Sequence, residues 1–315
     1  DMMIRKIVAN APFVVLALLS SLSGARYARE NARYAVEPAR RDAAAEGDTG
    51  ISGGKIPLRY PVVLVHGISV HDRKGVFGFW GRIPEVLRGA GIPVYFGNTD
   101  AWGGSESNAL ILKETVEKVM RETGAPKVNL IAHSKGGLDC RFLISRHDFG
   151  DRVASLTTIS TPHRGAELAD EVASWKILYT PPVRALVERF GRLSGDAVPD
   201  LYQMMRDVTT ENMRRFNEET PPDPRVYFQS LYTVMNKPED DWLFHATYAY
   251  ISKNRGPNDG VVSEWSACWG ENARKIRSEG ISHRDILDMR KRRISGVDIP
   301  ELYRDMVRDL SLRGF

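Results

Sequence analysis

The sequence predicts an α/β protein with a mostly parallel, doubly wound central sheet and helices on both of its faces. Short apolar runs, such as residues 62–65 and 153–159, are typical of strands that are buried on both sides. Amphipathic segments alternate with these runs, as expected when helices connect parallel strands. A serine at position 134 lies in a turn of small residues between one such run and the next helix.

The predicted elements follow one another without an internal repeat. Strands are predicted at residues 62–65, 92–96, 128–131, 153–159 and 246–251, and helices at residues 79–90, 110–121, 138–146 and 299–312. The strands are runs of mainly apolar residues, whereas the helices carry apolar residues three and four positions apart. Gly91 ends the first helix, because glycine is common just beyond a helix.

Residues from about 165 to 240 interrupt the alternation of strands and helices. Apolar residues in this segment recur mostly at helical spacing, and several prolines divide it. We interpret the segment as a helical insertion over one edge of the sheet. It could be an ordinary packed subdomain or a lid over a functional site, and its place in the sequence favours the lid.

Residues 1–25 resemble a secretory signal peptide. Arg5 and Lys6 supply positive charge, residues 13–19 form an apolar core, and Ala25 ends a run of small residues suited to cleavage. The apolar stretch is short for a membrane anchor, so we expect cleavage and export. Asp1, which precedes the first methionine, is expected to be a residue added in cloning.

Residues 26–55 are expected to form a flexible linker, because they are rich in Ala, Arg, Glu, Asp and Gly and have no clear periodicity. Residues 56–315 then form the folded domain. The net charge of +4 is spread along the chain, with no basic stripe, and this argues against nucleic-acid binding. Cys140 and Cys268 could form a disulfide in an exported protein, but two separate buried thiols are the preferred interpretation.

The most specific motif is the pentapeptide Ala132-His133-Ser134-Lys135-Gly136. It follows a predicted strand and precedes a predicted helix. Small residues two positions before and two positions after the serine permit the sharp turn of a nucleophile elbow, which exposes the hydroxyl at the end of the strand. An ordinary strand-to-helix turn is the alternative. The motif predicts Ser134 as a nucleophile.

A serine nucleophile needs a base, and the base needs an acid that orients it. Behind such an elbow, the acid and then the base follow the serine along the chain. His283, in a polar loop before a helix, is preferred as base to His245, which begins a predicted strand. Asp259, in an Asn-Asp-Gly turn after that strand, is the preferred acid. The alternative acids are Asp240, Asp241 and Glu264.

An oxyanion hole needs two main-chain N–H donors. The N–H of Lys135, directly after the serine, is one candidate. The other is the N–H of Ile68, which follows His66 and Gly67 at the end of the first strand. The side chains of these donors are not expected to matter, because only the main chain takes part.

Five segments in this order resemble secreted bacterial triacylglycerol lipases of the Pseudomonas and Burkholderia type, members of the α/β-hydrolase superfamily. The segments are residues 60–67, 128–138, 156–165 and 258–263, and His283 with Asp285. The resemblance covers roughly residues 58–168 and 243–315. It implies an α/β-hydrolase fold, with residues 56–315 as the catalytic domain and the same triad and oxyanion donors.

The resemblance implies a secreted carboxylic-ester hydrolase that acts on a lipid or ester substrate through an acyl-enzyme, without an organic cofactor. We expect a monomer, and some relatives need a folding chaperone. Alternatives on the same fold are a short-chain carboxylesterase, a thioesterase, a phospholipase or an acyltransferase. A hydrolase-fold binding protein without activity is disfavoured, since no triad member is missing.

The resemblance also implies a structural calcium ion that would tether the loops of the acid and the base. The implied ligands are the carboxylates of Asp285 and of Asp240 or Asp241, with main-chain carbonyls near Met289 and Arg293. Such oxygen ligands suit calcium. The alternative role of Asp285 is to cap a helix that starts near Ile286.

The chain departs from the family pattern at several positions. Ala132 replaces a glycine in the elbow, and Trp265 lies where one cysteine of the family disulfide is expected, with Cys268 displaced. Lys135 is unusual after the serine, and we expect it to be a solvated surface lysine. The divergent insertion leaves the acyl-chain preference open.

Overall fold

The computed structural model describes residues 54–68, 72, 79–174, 180–276 and 280–315. Within these ranges the strands form a six-stranded sheet in the order β2-β1-β3-β4-β5-β6, and all neighbours are parallel. The strands are β1 Val62–Val65, β2 Val94–Phe96, β3 Val128–His133, β4 Val153–Ile159, β5 Tyr227–Tyr232 and β6 Ala273–Lys275. The predicted signal peptide and nearly all of the predicted linker lie outside the described residues.

The helices surround this sheet. They are α1 Ile83–Gly89, α2 Ser105–Thr123, α3 Lys135–Arg146, α4 Glu167–Ala173, α5 Pro181–Ser194, α6 Leu201–Asp207, α7 Thr210–Glu219, α8 His245–Arg255, α9 Glu264–Ala267 and α10 Ile299–Leu312. Short 3₁₀ turns span Gly150–Arg152, Pro238–Asp240, Trp242–Phe244 and Asp285–Leu287. None of the helices in the described ranges is long and apolar enough to span a membrane.

Alternation along β1 shows how the sheet is buried on both faces. Val62 and Leu64 belong to the apolar layer that includes α1 and α10, whereas Val63 and Val65 belong to the layer that includes α2 and α3. Successive side chains of a strand point to opposite faces, so a continuous apolar run suits a sheet that is covered twice. The predicted doubly wound α/β architecture is confirmed.

One predicted strand is wrong. Residues 246–251 belong to helix α8, and its fully or largely buried side chains are Thr247 and Ile251, which are four positions apart. That spacing is helical, although the β-branched and aromatic residues here also suit a strand. The strand that takes this place in the sheet is β5, inside the predicted insertion. Its Gln229 and Ser230 are buried polar residues that weaken the apolar pattern.

The helical part of the insertion comprises α4 to α7, and we call these helices the helical segment. It ends at Glu219, earlier than predicted. Its apolar cluster includes Met204, Met213 and Phe216, and it also contains Leu138 of α3. The helical segment therefore packs directly against the helix that follows Ser134. Its role as a lid stays a prediction.

Two aspartates fasten the helical segment to the loop after β2. Asp100 accepts hydrogen bonds from the main-chain N–H groups of Ala197 (2.9 Å) and Val198 (2.7 Å). In return, Asp196 accepts from the N–H groups of Ala101 (2.9 Å) and Trp102 (3.0 Å). Charged acceptors make strong hydrogen bonds to main-chain donors, so this reciprocal pair fixes the connection between α5 and α6.

Candidate active site

Ser134 occupies a strained turn between β3 and α3. Its φ of 53° and ψ of −133° lie outside the regions that side chains ordinarily allow. Strain of this kind costs on the order of 1–3 kcal/mol and persists only where the surroundings enforce it. The Ser134 N–H donates to the carbonyl of Ile159 (2.9 Å), and the Thr161 hydroxyl donates to the Ser134 carbonyl (2.8 Å). The elbow predicted from the sequence is therefore present.

Glycines let the end of β1 approach this turn closely. A Cβ at Gly67 would lie 2.8 Å from Cβ of Ser134, and a Cβ at Gly136 would lie 2.3 Å from the carbonyl oxygen of His66. Neither position has room for a side chain. Ala132 is fully buried in the apolar layer beneath α3, so its methyl group is accommodated there.

His283 and Asp259 form the pair predicted for the base and its acid. Nδ1 of His283 lies 2.8 Å from Oδ2 of Asp259, and the His283 N–H donates to the Asp259 carbonyl (2.9 Å). The other oxygen of Asp259 accepts from the N–H groups of Val261 (3.0 Å) and Val262 (2.8 Å). Because Asp259 accepts the Nδ1 proton, Nε2 is left as the proton acceptor of the neutral ring.

His133, the residue before Ser134, connects the elbow to this pair. Its ring centroid is 4.4 Å from that of His283, and its Nε2 donates to the His283 carbonyl (2.9 Å). Burial, and to a lesser degree the charges of His283 and His66, hold the pKa of His133 well below its usual range. A neutral His133 retains the N–H that this hydrogen bond needs. This contact of His133 was not predicted from the sequence, although its position beside the serine was a usable signal.

All three residues of the predicted triad are largely buried. Ser134 is 6% exposed, Asp259 1% and His283 8%. The other candidates do not join them. His245 is exposed at the start of α8, and Glu264 accepts a hydrogen bond from the hydroxyl of Tyr232 (3.0 Å).

The oxyanion candidates lie on two sides of the serine. Lys135 is the first residue of α3, where main-chain N–H groups have no partner within the helix. Ile68 follows Gly67 and packs against the apolar cluster of the helical segment. The close approach of Gly67 to Ser134 brings this loop to the elbow. The role of the two N–H groups as oxyanion donors stays a prediction.

The side chain of Lys135 is not solvated, contrary to the prediction. It is 3% exposed, and its Nζ lies 2.6 Å from Oδ1 of Asp139. Oδ2 of Asp139 accepts from the side-chain amide of Asn108 (2.9 Å). Burial raises the pKa of Asp139, and the Lys135 charge opposes that rise. The lysine charge is therefore neutralised inside α3, since residues four positions apart share a helix face.

The free cysteines are Cys140, which is on the buried face of α3, and Cys268, which is half-buried near β5. They belong to different apolar clusters. The preference for two separate thiols over a disulfide is confirmed.

The carboxylates implied as calcium ligands lie close together, but arginines lie between them. Both oxygens of Asp241 accept from the guanidinium of Arg284 (2.7 Å each), and one also accepts from the hydroxyl of Ser282 (2.7 Å). Arg290 lies 3.0 Å from Asp241 and 3.0 Å from Asp285. Two guanidinium charges thus balance two carboxylates. As arranged, these residues do not fit a calcium ion.

The other candidate carboxylate, that of Asp240, is also engaged by donors of its own loop. The carboxylate of Asp240 accepts from the N–H groups of Asn236 (2.7 Å) and Lys237 (3.1 Å), and so it holds its own turn. Met289 packs on the apolar layer, and Arg293 is exposed. In the described parts of the chain, no group of three or more His, Cys, Asp or Glu residues is arranged to hold a metal.

Comparisons with known proteins show which proteins the chain is similar to. The palmitoyl protein thioesterase family model matches residues 61–200. The triacylglycerol lipases of Pseudarthrobacter phenanthrenivorans and Burkholderia plantarii are each 37% identical over 177 residues, or 52% of this chain. The match spans about half the length of these two relatives, 54% and 48%. A crystal structure of a metagenomic carboxyl esterase shares the fold, with a TM-score of 0.66, 19% identity, and coverage of 87% of this chain and 82% of that one.

A longer match comes from Saccharomyces cerevisiae. Its triacylglycerol lipase 2 is 30% identical over 258 residues, which are 75% of this chain and 74% of the yeast protein. The resemblance found in the sequence is confirmed, and the chain belongs to the triacylglycerol lipase family of α/β-hydrolases.

Proposed function

We propose that this protein is a serine hydrolase that cleaves the carboxylic esters of lipids. Ser134 is the nucleophile, His283 the base, and Asp259 the acid that orients the base. The observation that carries the proposal is the hydrogen bond between Asp259 and His283, in a loop that His133 ties to the strained elbow. Such a nucleophile, base and orienting acid form the catalytic triad of acyl-transfer enzymes.

The proposed reaction has two half-reactions. Oγ of Ser134 attacks the ester carbonyl carbon while Nε2 of His283 takes the hydroxyl proton. The tetrahedral intermediate collapses, the C–O bond to the alcohol breaks, and His283 returns the proton to the departing alkoxide. A water molecule then repeats the sequence on the acyl-enzyme, which releases the carboxylic acid and restores Ser134.

Main-chain donors stabilise the negative oxygen of each intermediate. In the proposal these are the N–H groups of Ile68 and Lys135, on the two sides of the serine. Two observations support this assignment of the donors: Gly67 lies against Ser134, and Lys135 is at the start of α3. One donor of this kind typically contributes about 10²–10³-fold to the rate.

We propose a triacylglycerol as the substrate, because several relatives carry that name and the helical segment presents an apolar cluster beside Ile68. The helical segment then acts as a lid that admits acyl chains. An acyl-chain series of esters, assayed below and above their solubility limits, tests this substrate class. Faster turnover of long chains above the limit is expected, and preference for short soluble esters would contradict it.

A thioesterase is the second candidate, because the palmitoyl protein thioesterase model matches the residues that carry the elbow. The same triad would cleave a thioester, with a thiolate as leaving group. Parallel assays on a palmitoyl thioester and a palmitoyl oxygen ester, with kcat/KM as the measure, separate the two functions. The lipase proposal expects the oxygen ester to be the better substrate.

Replacement of the serine tests the mechanism itself. Ser134→Ala is expected to remove p-nitrophenyl ester hydrolysis and labelling by a fluorophosphonate probe, since both need Oγ. The matched control is Ser311→Ala, which removes a serine whose hydroxyl bonds the Pro57 carbonyl, at the end of α10. Wild-type hydrolysis by Ser134→Ala would refute the proposed nucleophile.

We also propose that the protein is exported, on the strength of the signal-like residues 1–25. Fractionation of the producing cells, with amino-terminal sequencing of the product, tests this. A product that begins after Ala25 and lies outside the cytoplasm is expected.

A further inference from the structure

Asp241 holds the residues on both sides of His283. It is fully buried, and it accepts hydrogen bonds from the hydroxyl of Ser282 and from the guanidinium of Arg284. Asp241 itself lies in the segment that leads through α8 to Asp259. The carboxylate of Asp241 therefore connects the segment that precedes Asp259 with the loop that contains His283.

Arg290 adds a second connection in the same place. Its Nη2 is 3.0 Å from Asp241 and its Nε is 3.0 Å from Oδ1 of Asp285, the second residue after His283. Both carboxylates are 0% exposed as side chains, and Arg290 is 16% exposed. Neither oxygen of Asp285 has a hydrogen bond of good geometry in the described structure. The guanidinium of Arg290 is thus the nearest positive charge that offsets the negative charge of the buried Asp285 carboxylate.

We propose that Arg290, together with Arg284, is the built-in cation that replaces calcium in this lipase, and that it makes the catalytic loops independent of the metal. Arg290 is a positioning residue, because it acts on His283 through Asp241 and Asp285. The catalytic part of this inference rests on the proposed function, whereas its metal part does not.

The chemistry of the guanidinium supports this substitution. Its planar fork offers several N–H donors and stays charged when it is buried, so it can span two carboxylates as a divalent ion does. Two guanidiniums and two carboxylates already sum to zero charge. A calcium ion added to this group would leave two excess positive charges in a buried place, which is unfavourable.

Thermal melting of the whole chain tests the metal part. Wild type, Arg290→Gln, Arg290→Lys and the control Arg292→Gln are compared in a chelator and in calcium chloride. Arg292 is exposed in the same loop, so its replacement removes the same charge without touching the two carboxylates. Wild type is expected to melt at the same temperature in both solutions.

Arg290→Gln leaves two buried carboxylates with one guanidinium. Its Tm is expected to fall by roughly 5–10 °C in the chelator, and calcium should restore part of the loss. Arg290→Lys keeps the charge, so its Tm should lie between those of wild type and Arg290→Gln. The lysine variant also keeps the test usable if the glutamine variant does not fold. A drop in wild-type Tm on chelation overturns the proposal. Equal effects of Arg290→Gln and Arg292→Gln overturn it too.

Ester hydrolysis tests the positioning part. Arg290→Gln is expected to lower kcat about ten- to a hundredfold in the chelator with little change in KM, because the base is displaced and not the binding surface. Arg290→Lys should recover part of kcat. An unchanged kcat, or a change confined to KM, overturns the positioning role. The melting result does not depend on turnover, so it stands even if the proposed reaction fails.

Discussion

Ser134 and the pair formed by His283 and Asp259 are held in place by different kinds of interaction. Around Ser134 the constraints are main-chain contacts between neighbouring parallel strands, with glycines at the close approaches. Around His283 they are charged side chains that meet across long stretches of sequence, as Asp241 meets Arg284 and Arg290. The position of Ser134 therefore depends on close packing of the backbone, whereas the position of His283 depends on the balance of buried charges.

The largest expected effect tests the charged region. Asp259→Asn keeps the shape of the side chain but can donate to Nδ1, which favours the wrong ring tautomer of His283. We expect kcat to fall by about 10⁴-fold with the fold intact, as judged by circular dichroism. Asp240→Asn is the control, because its carboxylate holds only its own turn. A loss of less than tenfold in Asp259→Asn would remove Asp259 from the triad.

The next effect tests the main-chain region. Gly136→Ala places a methyl group 2.3 Å from the His66 carbonyl, so strand or elbow must shift. We expect the free energy of unfolding to fall by about 1–3 kcal/mol, with a loss of activity, as urea denaturation and ester hydrolysis would measure. Gly89→Ala is the matched control, since nothing lies within 4 Å of the added carbon. Equal stability of the two variants would mean that the elbow tolerates a side chain.

The smallest effect, taken per histidine and per pH unit, concerns pH and stability. Burial holds the pKa values of His133 and His163 well below their usual range, so both stay neutral in the folded chain. The unfolded chain binds those protons below about pH 6.5, and the folded state therefore loses stability as the pH falls. The loss should approach about 1.4 kcal/mol per pH unit for each histidine.

Urea unfolding between about pH 7 and pH 5 measures this slope. His133→Gln should make it shallower, whereas replacement of the exposed His245 should not. An unchanged slope in His133→Gln would mean that this ring takes up its proton in the folded chain as readily as in the unfolded chain.

The same contrast explains which features could be predicted from the sequence. The elbow was predictable because a short segment contains the strand, the small residues and the serine that the turn requires. The pairing of Asp259 with His283 was predictable from their order behind the elbow. The sheet was predictable wherever its strands are continuous apolar runs, as in β1 and β4.

The missed features depend on tertiary contacts. Helix α8 has residues that suit a strand, and only its packing on Thr247 and Ile251 selects the helix. Lys135 has the composition of a surface residue, but Asp139 one turn later allows it to be buried. The role proposed for Arg290 depends on the segment of Asp241 and the loop after His283, which meet only in the folded chain, so no local pattern could indicate it.

The backbone of Ser134 also bears on how this sequence can evolve. Glycine adopts a positive φ without strain, so a chain that no longer needed the hydroxyl would become more stable by exchanging this serine for glycine. Loss of activity would bring an immediate gain in stability. The backbone at Ser134 thus favours a residue that lacks the hydroxyl, so the presence of serine here is explained by the proposed chemistry and not by folding.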